Sequence, residues 1–331
     1  MAEEILRGRQ AVVTGAGGFI GSHLVEQLLG LGCRVTAFVR YNSRNDDGLL
    51  ELLAGSTAEL NVVRGDVRDL DTITGVVDGA DVVFHLAALV GIPYSYVHVG
   101  EVVGVNVMGT LNVLTAAKER GVRRVVVAST SEVYGSAQTV PMSEEHPKNP
   151  QSPYAASKVA SDALALSFYA AFDLPVSVVR PFNTYGPRQS DRAIIPTIIS
   201  QALVGDEVVL GSVAPRRDFT FVTDTAAGFV KVAASEETVG EELNLGTGTD
   251  ISVGELAERV GRLLGKELNV RESTERVRPA SSEVNRLLSD NRRVRELAGW
   301  EPSVTLDEGL ERSIEWVRDH PELYDPTSYR I

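Results

Sequence analysis

Cysteine and long apolar runs are scarce in this sequence. Cys33 is the one cysteine among 331 residues, which excludes an internal disulfide and any metal site built on cysteines. The five histidines show no pair at helical spacing, so each is expected to be a core or surface residue and no metal site is predicted. No apolar run reaches the ~20 residues that span a bilayer, and residues 1–10 do not resemble a signal peptide. We expect a cytoplasmic protein with no membrane partner.

Positive charge is also in deficit. Lys and Arg number 32 against 45 Asp and Glu, a formal net charge of −13, and no basic arm is present. Such a chain lacks the electrostatic footprint of a nucleic-acid binder, so no nucleic-acid partner is expected. The hydrophobic fraction of 43% is that of an ordinary soluble protein, and the length suits one large and one smaller domain.

Short apolar segments alternate with amphipathic ones up to Pro181. The predicted strands are Ala11–Thr14, Arg34–Val39, Asn61–Arg64, Asp81–Leu86, Arg123–Ser129 and Val176–Arg180. Continuous apolar runs are typical of strands buried on both faces, so the pattern predicts an α/β fold with a Rossmann-type doubly wound parallel sheet. Long helices are predicted over residues 101–120 and 153–172. Both are apolar on more than one side, so each is either internal or packs against a partner subunit.

The chain changes character after Pro181. Loops rich in Pro, Gly and Arg precede two predicted helices, Val253–Leu264 and Asp290–Leu297. We predict an NAD(P)-binding Rossmann domain over residues 1–181. Residues 182–331 are predicted to form mainly a smaller C-terminal α/β substrate-binding region, part of which returns to the sheet. Because ligands of doubly wound sheets bind outside the carboxyl ends of the strands, this region is expected to close over a cofactor there.

The first predicted strand runs directly into a glycine-rich turn, ahead of the predicted helix Ile20–Leu29. Glycines at 15, 18 and 21 would permit the tight turn, the approach of a pyrophosphate and close packing of helix on sheet. The order of strand, turn and helix favours a dinucleotide site over a plain turn. The predicted cofactor contacts here are Gly15, Gly17, Gly18, Phe19, Ile20 and Gly21.

The end of the second predicted strand bears on the choice between NAD and NADP. The acid that would bind the adenosine ribose is missing, and Val39 and Arg40 stand there instead. A guanidinium can pair with a 2′-phosphate, so NADP is slightly favoured over NAD; alternatively Arg40 stacks on adenine or points into solvent. Asp66 is expected to contact the adenine amino group or to be a solvated loop acid. Further predicted cofactor contacts are Asn42, Ser43, Val67, Leu86, Ala87, Ala88, Tyr154, Lys158 and Pro181.

Tyr154 and Lys158 stand four residues apart on a predicted helix and therefore project from one face. A phenol titrates near ~10, and a neighbouring cation favours the phenolate. We expect Lys158 to lower the pKa of Tyr154 so that the phenolate can take a proton from a substrate hydroxyl while hydride leaves to a nicotinamide. The pair is common on helices by itself, and becomes specific together with the glycine turn.

Four motifs along the chain occur together in one known family: Thr14 through Gly21, His85–Ala88, the Tyr154/Lys158 pair and Arg180–Asn183. With them the chain resembles, over essentially its whole length, the nucleotide-sugar branch of the extended short-chain dehydrogenases/reductases. The resemblance implies a tightly bound nicotinamide cofactor that oxidises C4 of a nucleotide-linked hexose and is recycled in the same turnover. It also implies a homodimer formed through the two long helices.

The segment Ser129–Gly135 distinguishes branches of that family, because it carries Glu132. Simple 4-epimerases usually have small neutral residues at this position, whereas sugar-nucleotide 4,6-dehydratases have a glutamate that removes the C5 proton. The resemblance implies that Thr130 holds the C4 oxygen and that Glu132 is the base at C5. It likewise implies that Tyr154 is the base at O4 and Lys158 its electrostatic partner. Alternatively, Glu132 is an exposed loop acid or a local cap.

Ser131 departs from the dTDP-glucose dehydratases, which have an acidic aspartate there; we keep it among the predicted catalytic residues. The Thr-Ser-Glu order is similar to GDP-mannose 4,6-dehydratases and also to UDP-glucuronate decarboxylases. Residues 152–158 with Ser161-Asp162 resemble the dehydratase version of the helix. We therefore predict a nucleotide-sugar 4,6-dehydratase. The alternatives are a UDP-glucuronate decarboxylase, a 4-epimerase and, as a minor one, a non-catalytic NADP-sensing protein.

Residues 39–43, 88–96 and 278–284 resemble most closely the dehydratases of GDP- or UDP-linked N-acetylglucosamine, which implies such a substrate or a nucleotide-linked hexose. A diphosphate needs cationic partners, and Arg217 and Arg278 match the diphosphate contacts of the family. Alternatively, Arg217 forms an ion pair with a nearby acid such as Asp218 or Asp224. The other predicted substrate contacts are Asn183, Arg192 and the backbone near Ile195.

Overall fold

The structure is a computed structural model that describes residues 2–53, 58–273 and 282–326. Its strands are β1 (Gln10–Thr14), β2 (Arg34–Arg40), β3 (Leu60–Gly65), β4 (Val82–His85), β5 (Arg124–Ala128), β6 (Val176–Pro181), β7 (Asn183–Tyr185), β8 (Glu207–Leu210), β9 (Arg216–Arg217), β10 (Phe219–Phe221), β11 (Glu242–Leu245), β12 (Ile251–Ser252), β13 (Asn269–Glu272) and β14 (Arg286–Leu287). Its helices are α1 (Ala2–Leu6), α2 (Phe19–Gly30), α3 (Leu70–Val77), α4 (Ile92–Val97), α5 (Val99–Val103), α6 (Gly109–Glu119), α7 (Pro153–Phe172), α8 (Ile194–Val204), α9 (Val222–Ala234), α10 (Val253–Leu264), α11 (Arg292–Ala298) and α12 (Leu306–Asp319). A π-helical turn, Gly104–Met108, joins α5 to α6, and 3-10 turns cover Gly48–Leu52, Ser131–Tyr134, Glu236–Thr238 and Pro321–Leu323.

A seven-stranded parallel sheet forms the centre, in the order β11-β6-β5-β4-β1-β2-β3. This is the strand order of a Rossmann-type fold with one strand added at the edge, and it confirms the predicted fold class. Apolar side chains on the two faces of the sheet enter two separate buried clusters, one containing Val13 and Phe84, the other Val12 and Val83. Burial on both faces explains why these strands are apolar without alternation.

The predicted elements up to Pro181 are present, with ends that differ by one or two residues. Helices α8 and α9, by contrast, lie where the sequence analysis expected loops, and this expectation was wrong. The α8 sequence contains Pro196 and several isoleucines, and α9 contains Gly228, so their local helix propensity is low. Packing of their apolar faces into the core, rather than propensity, stabilises both helices.

The chain after Pro181 contributes to two parts of the molecule. Strand β11 pairs with β6, and α9 packs on α2, so both belong to the Rossmann layers. Helix α11 also packs on α9 and β11. Helices α8, α10 and α12 form a third apolar core, with Ile198, Leu256 and Leu310 fully buried in it. Small sheets flank this core: β7 with β10, β8 with β13, and β12 and β14 on either side of β9.

The helical segment Val99–Glu119 has 21 residues and a mean hydropathy of 1.3, so by length and composition alone it could cross a membrane. The sequence analysis did not expect a segment of this kind. Of its most apolar stretch, 39% is buried within the described chain, and it packs against α3 and α7. Core helices of soluble proteins can have the same length and apolar composition, so this segment is weak evidence for a membrane span.

Candidate active site

A cavity of about 670 Å³ lies at the carboxyl ends of the central strands, which is the size of a small-molecule site. Most residues predicted to bind cofactor or to act in catalysis line it. These are Gly15, Gly17, Gly18, Phe19, Ile20, Gly21, Arg40, Asn42, Asp66, Val67, Leu86, Ala87, Ala88, Thr130, Tyr154, Lys158 and Pro181. Predicted residues outside its lining are Ser43, Ser131, Glu132, Asn183, Arg192, Ile195 and Arg217, and Arg278 falls outside the described residues.

The glycine turn is shaped by close backbone packing. Gly15 has φ +72°, and a Cβ on it would lie 2.7 Å from the amide nitrogen of Ala87. A Cβ on Gly21 would lie 2.2 Å from the carbonyl oxygen of Gly15. Gly18 is the N-cap residue of helix α2 and has no side chain to cap it, so the first-turn N–H groups of the helix are left for an anion. The backbone of residues 15–21 thus forms a glycine cradle beside the cavity, and this cradle fits the pyrophosphate of a dinucleotide.

The loop after β2 closes the cavity over the glycine turn, a role that the sequence analysis missed. Asp46, Asp47 and Gly48 line the cavity, and the amide of Leu49 donates to the carbonyl oxygen of Gly17 at 3.0 Å. The Asn42 carboxamide oxygen accepts two backbone N–H groups of this loop, so it shapes the loop. Ser43, the other cofactor contact predicted in this loop, is exposed and is not among the residues that line the cavity. The Asp47-Gly48 pair was the available turn signal.

Charged groups at this end of the cavity are already paired. Arg40 lies 3.5 Å from a carboxylate oxygen of Glu101, and its side chain is 70% exposed. Asp66 accepts hydrogen bonds from Arg68 at 2.9 and 3.1 Å, and these bonds lower the pKa of its carboxyl. A ligand that uses Arg40 or Asp66 therefore competes with, or adds to, an existing ion pair.

Helix α7 places Tyr154 and Lys158 on its buried face. The helix starts where the Ser152 hydroxyl accepts from the Ala155 amide, with Pro153 at the first position. The ammonium of Lys158 donates to the carbonyl oxygen of Ala128, the last residue of β5, at 2.5 Å. Burial lowers the pKa of Lys158 to about 8, against an opposing effect of the Asp162 carboxylate.

The pKa of Tyr154 differs from the sequence expectation. Burial raises it, the hydrogen bond with Thr130 opposes the rise, and the negative charge of Glu132 adds to it. The expected lowering of this pKa by Lys158 is therefore not seen. The physical reason is that the free energy lost by removing a phenolate from water exceeds the free energy gained from the groups around it. A phenolate here needs further positive charge in the cavity.

Thr130 and Glu132 belong to one short turn at the end of β5. The Thr130 hydroxyl accepts from the Glu132 amide at 3.2 Å and so caps the 3-10 turn that follows. Ser131 points into the protein and is 3% exposed, so its predicted catalytic role has no support from the cavity. Glu132 is half-buried, and its carboxylate makes no hydrogen bond or ion pair with any residue in the described ranges.

A buried polar scaffold behind the cavity was also missed. The Thr14 hydroxyl bonds His85 Nδ1 at 2.8 Å, and His85 Nε2 bonds the Thr110 hydroxyl at 3.0 Å. Burial lowers the pKa of His85 to about 3, so the ring is neutral and serves as a tie between elements. In the π-helical turn, Asn106 accepts from the Leu89 amide and donates to the Ser157 hydroxyl. A polar residue ending an apolar strand, as His85 does, was the signal in the sequence.

The predicted substrate residues after Pro181 are scattered. The Asn183 side-chain oxygen is buried with no hydrogen-bond partner among the described residues, beside Phe182 and Thr184 of the cavity lining. Arg192 is exposed, and Ile195, 1% exposed, packs into the third core. These positions leave Asn183 as the contact best supported by the structure.

Arg217 lines a separate cavity of about 320 Å³. Its guanidinium lies 3.4 Å from a carboxylate oxygen of Glu283. The alternative suggested for Arg217 was an ion pair with a nearby acid, and Glu283 is such an acid. Asp218 accepts from Thr247, Gly248 and Ser289, and Asp224 accepts from residues 303 and 304. The two acids instead fix loops of the C-terminal region.

The Rossmann sheet, the glycine cradle and the Tyr154/Lys158 pair define an enzyme of the extended short-chain dehydrogenase/reductase class, with a site for a nicotinamide dinucleotide. The sequence profile of GDP-mannose 4,6-dehydratase matches residues 12–313, and the chain belongs to that family.

Known relatives span several activities. A UDP-glucose 4-epimerase of Mycolicibacterium smegmatis is 35% identical, the match covering 94% of this chain and 99% of the relative. A UDP-N-acetyl-α-D-glucosaminuronate decarboxylase of Bacillus cytotoxicus is 33% identical, covering 94% and 98%. The crystal structure of DesIV, a dTDP-glucose 4,6-dehydratase from Streptomyces venezuelae with NAD bound, is 30% identical with a TM-score of 0.85, covering 96% of this chain and 100% of that one.

Proposed function

We propose that this enzyme is a nucleotide-sugar 4,6-dehydratase acting on a nucleotide-linked N-acetylglucosamine or hexose. The observation that carries the proposal is Glu132. Its carboxylate stands two residues after Thr130, is close enough to Tyr154 to raise the pKa of that phenol, and has no ion-pair partner among the described residues. An epimerase needs no base beyond the tyrosine, whereas elimination needs a second base at C5.

In the proposed reaction, the Lys158 ammonium stabilises the phenolate form of Tyr154, and this phenolate takes the proton of the C4 hydroxyl and becomes a neutral phenol. A nicotinamide cofactor held by the glycine cradle would supply a hydride acceptor at C4 and, later in the turnover, a hydride donor at C6. The C4 ketone acidifies the C5–H bond, and Glu132 removes that proton and gives it to the C6 hydroxyl, which leaves as water. The proton that Tyr154 took from O4 balances the proton returned to C5. Protonation at C5 completes the turnover, so the product is a 4-keto-6-deoxy sugar and the net change is the loss of one water.

For the cofactor we propose NADP, on the evidence of Arg40. This guanidinium lines the cavity at the end of β2, and its pairing with Glu101 at 3.5 Å is loose and exposed. Asp46 and Asp47 nearby favour NAD instead, as does the NAD bound to DesIV. Denaturing the purified protein and identifying the released nucleotide decides between them, and a charge reversal, Arg40→Asp, should shift any NADP preference to NAD.

We further propose that residues 1–181 bind mainly cofactor, that residues 182–331 bind mainly the nucleotide sugar, and that the enzyme is a cytoplasmic homodimer. Support for the dimer comes from five apolar side chains on the two long helical segments, each 40–49% exposed: Val99, Val103, Met108, Tyr169 and Phe172. Light scattering should give twice the chain mass, and Val103→Glu should give a monomer. A monomeric wild-type protein would contradict the proposal.

Mass spectrometry tests the activity. The purified enzyme is incubated, with no reductant added, with UDP-, GDP- and dTDP-linked hexoses, N-acetylhexosamines and hexuronates. Loss of one water from one substrate is the expected result. Loss of carbon dioxide from a uronate would show a decarboxylase, and an unchanged mass with an altered NMR spectrum would show an epimerase. Nucleotide bound without turnover of any sugar would favour the sensing protein.

A further inference from the structure

Arg180 is a fully buried cation next to the cavity that the proposed reaction does not use. It lies on β6 directly before Pro181 of the cavity lining and is 0% exposed. Its guanidinium donates to Asp162 from Nε at 3.1 Å and from Nη2 at 3.0 Å, and to the Tyr134 hydroxyl from Nη1 at 2.8 Å. Glu242 on β11 is its third partner. Such a buried charge is retained only where its partners compensate for the lost hydration.

The first two partners belong to the two segments that carry the proposed proton-transfer groups. Asp162 lies on α7, one turn after Lys158 and two turns after Tyr154, on the same buried face. Tyr134 ends the 3-10 turn that contains Glu132. One guanidinium therefore bonds the helix of the proposed O4 base and the turn of the proposed C5 base.

Further hydrogen bonds fix the far side of this cluster. The Tyr134 hydroxyl donates to the Asn244 side-chain oxygen at 2.8 Å, and the Asn244 side-chain nitrogen donates to the Met142 carbonyl oxygen at 3.1 Å. The amide of Asn244 donates to Glu144 at 2.9 Å. These bonds leave the turn little freedom relative to β6 and β11, since satisfied buried networks define one arrangement.

We propose that Arg180 is a positioning residue that sets Glu132 relative to the Tyr154/Lys158 pair, acting through Tyr134 on one side and Asp162 on the other. This inference depends on the proposed dehydratase reaction. The two contacts of Arg180 have different effects. Asp162 acts on the Lys158 ammonium and therefore on proton removal at O4. Tyr134 acts on the turn that carries Glu132 and therefore on proton removal at C5.

Tyr134→Phe tests the second side, because it deletes only the hydroxyl. In single-turnover experiments on the nucleotide-bound enzyme, C4 oxidation is followed as reduced-nicotinamide absorbance and elimination as loss of water by mass spectrometry. We expect elimination to slow about tenfold or more, since small misplacements of a base are costly. C4 oxidation and the KM for the sugar should change less than about twofold. Reduced nicotinamide should accumulate.

Tyr185→Phe is the matched control. Tyr185 is also buried, 1% exposed, and its hydroxyl donates to the Leu306 carbonyl oxygen in the C-terminal region. The Tyr185→Phe variant should leave both C4 oxidation and elimination unchanged.

Asp162→Asn tests the first side and should give the opposite pattern. C4 oxidation should slow, and elimination should follow it without accumulation of reduced nicotinamide.

The outcomes separate the two proposals. Wild-type enzyme that releases no water overturns the proposed function and this inference with it. Active wild type with equal slowing of both steps in Tyr134→Phe, or with no slowing, overturns the inference alone. If circular dichroism shows that Tyr134→Phe does not fold, Asp162→Asn decides: selective slowing of C4 oxidation supports the inference, and equal slowing of both steps overturns it.

Discussion

The Rossmann half and the C-terminal region form their parts of the site in different ways. In the Rossmann half the cradle consists of backbone and small residues, and Gly15, Gly18 and Gly21 follow one another within a single turn. In the C-terminal region several described arginines are already in ion pairs, among them Arg216 with Asp250 and Glu255, Arg217 with Glu283, and Arg286 with Asp250. The comparison shows that a site formed by the backbone of one short segment can be predicted from the sequence. A site formed by long charged side chains cannot, because the tertiary structure determines which ion-pair partners they meet.

The largest expected effect concerns Glu132, on the Rossmann side. Glu132→Gln keeps the size of the side chain but removes the proposed base, so formation of the dehydrated product should fall by about 10²- to 10⁴-fold. C4 oxidation, seen as reduced nicotinamide in a single turnover, should stay within a few-fold of wild type. Equal loss of both steps would remove Glu132 from its assigned role.

The second prediction concerns the glycine cradle, where the backbone and not side chains would bind the nucleotide. Gly15→Ala should release the bound nucleotide and destabilise the fold by at least about 1–2 kcal/mol, because φ is +72° and the new Cβ would meet the Ala87 amide at 2.7 Å. Gly30→Ala is the control, since a Cβ there meets nothing within 4 Å. Nucleotide content after purification and the melting temperature measure the two effects. Retention of full nucleotide in Gly15→Ala would contradict this reading of the turn.

The third test concerns the arginines of the other region. If Arg217 exchanges Glu283 for a substrate diphosphate, Arg217→Ala should raise KM for the nucleotide sugar about tenfold or more, as expected for a lost charge-assisted hydrogen bond. Arg216→Ala, which removes the neighbouring surface-side ion pairs, should leave KM nearly unchanged. Steady-state kinetics on both variants give the answer, and similar KM values would assign Arg217 a structural role.

The smallest expected effect is a pH dependence. The pKa of Lys158 is about 8, so its charge, and with it kcat, should fall by about half between pH 7 and pH 8. His85 does not contribute, since its pKa of about 3 keeps it neutral there. Stability should respond in the opposite direction: the unfolded lysine titrates near ~10.4 and binds more protons between these values, so this residue's contribution to stability rises with pH. Melting curves of wild type and Lys158→Met from pH 7 to 10 test the sign.

The sequence by itself determined the parallel sheet, the glycine turn and the Tyr154/Lys158 pair. Each depends on spacing within one or two adjacent elements, where backbone geometry relates residue number directly to position. The same local rules failed for α8 and α9, whose weak propensity is overcome by packing in the core.

Only the tertiary structure decided which groups meet across distant segments. Loops and strands far apart in the chain bring three sets of residues together: Asp47 with Gly17, Arg217 with Glu283, and Arg180 with Asp162 and Tyr134. Tertiary packing also reversed the expected direction for the Tyr154 pKa, because the balance between burial and neighbouring charge is a property of the closed site. Long charged side chains have many reachable partners, and packing selects among them.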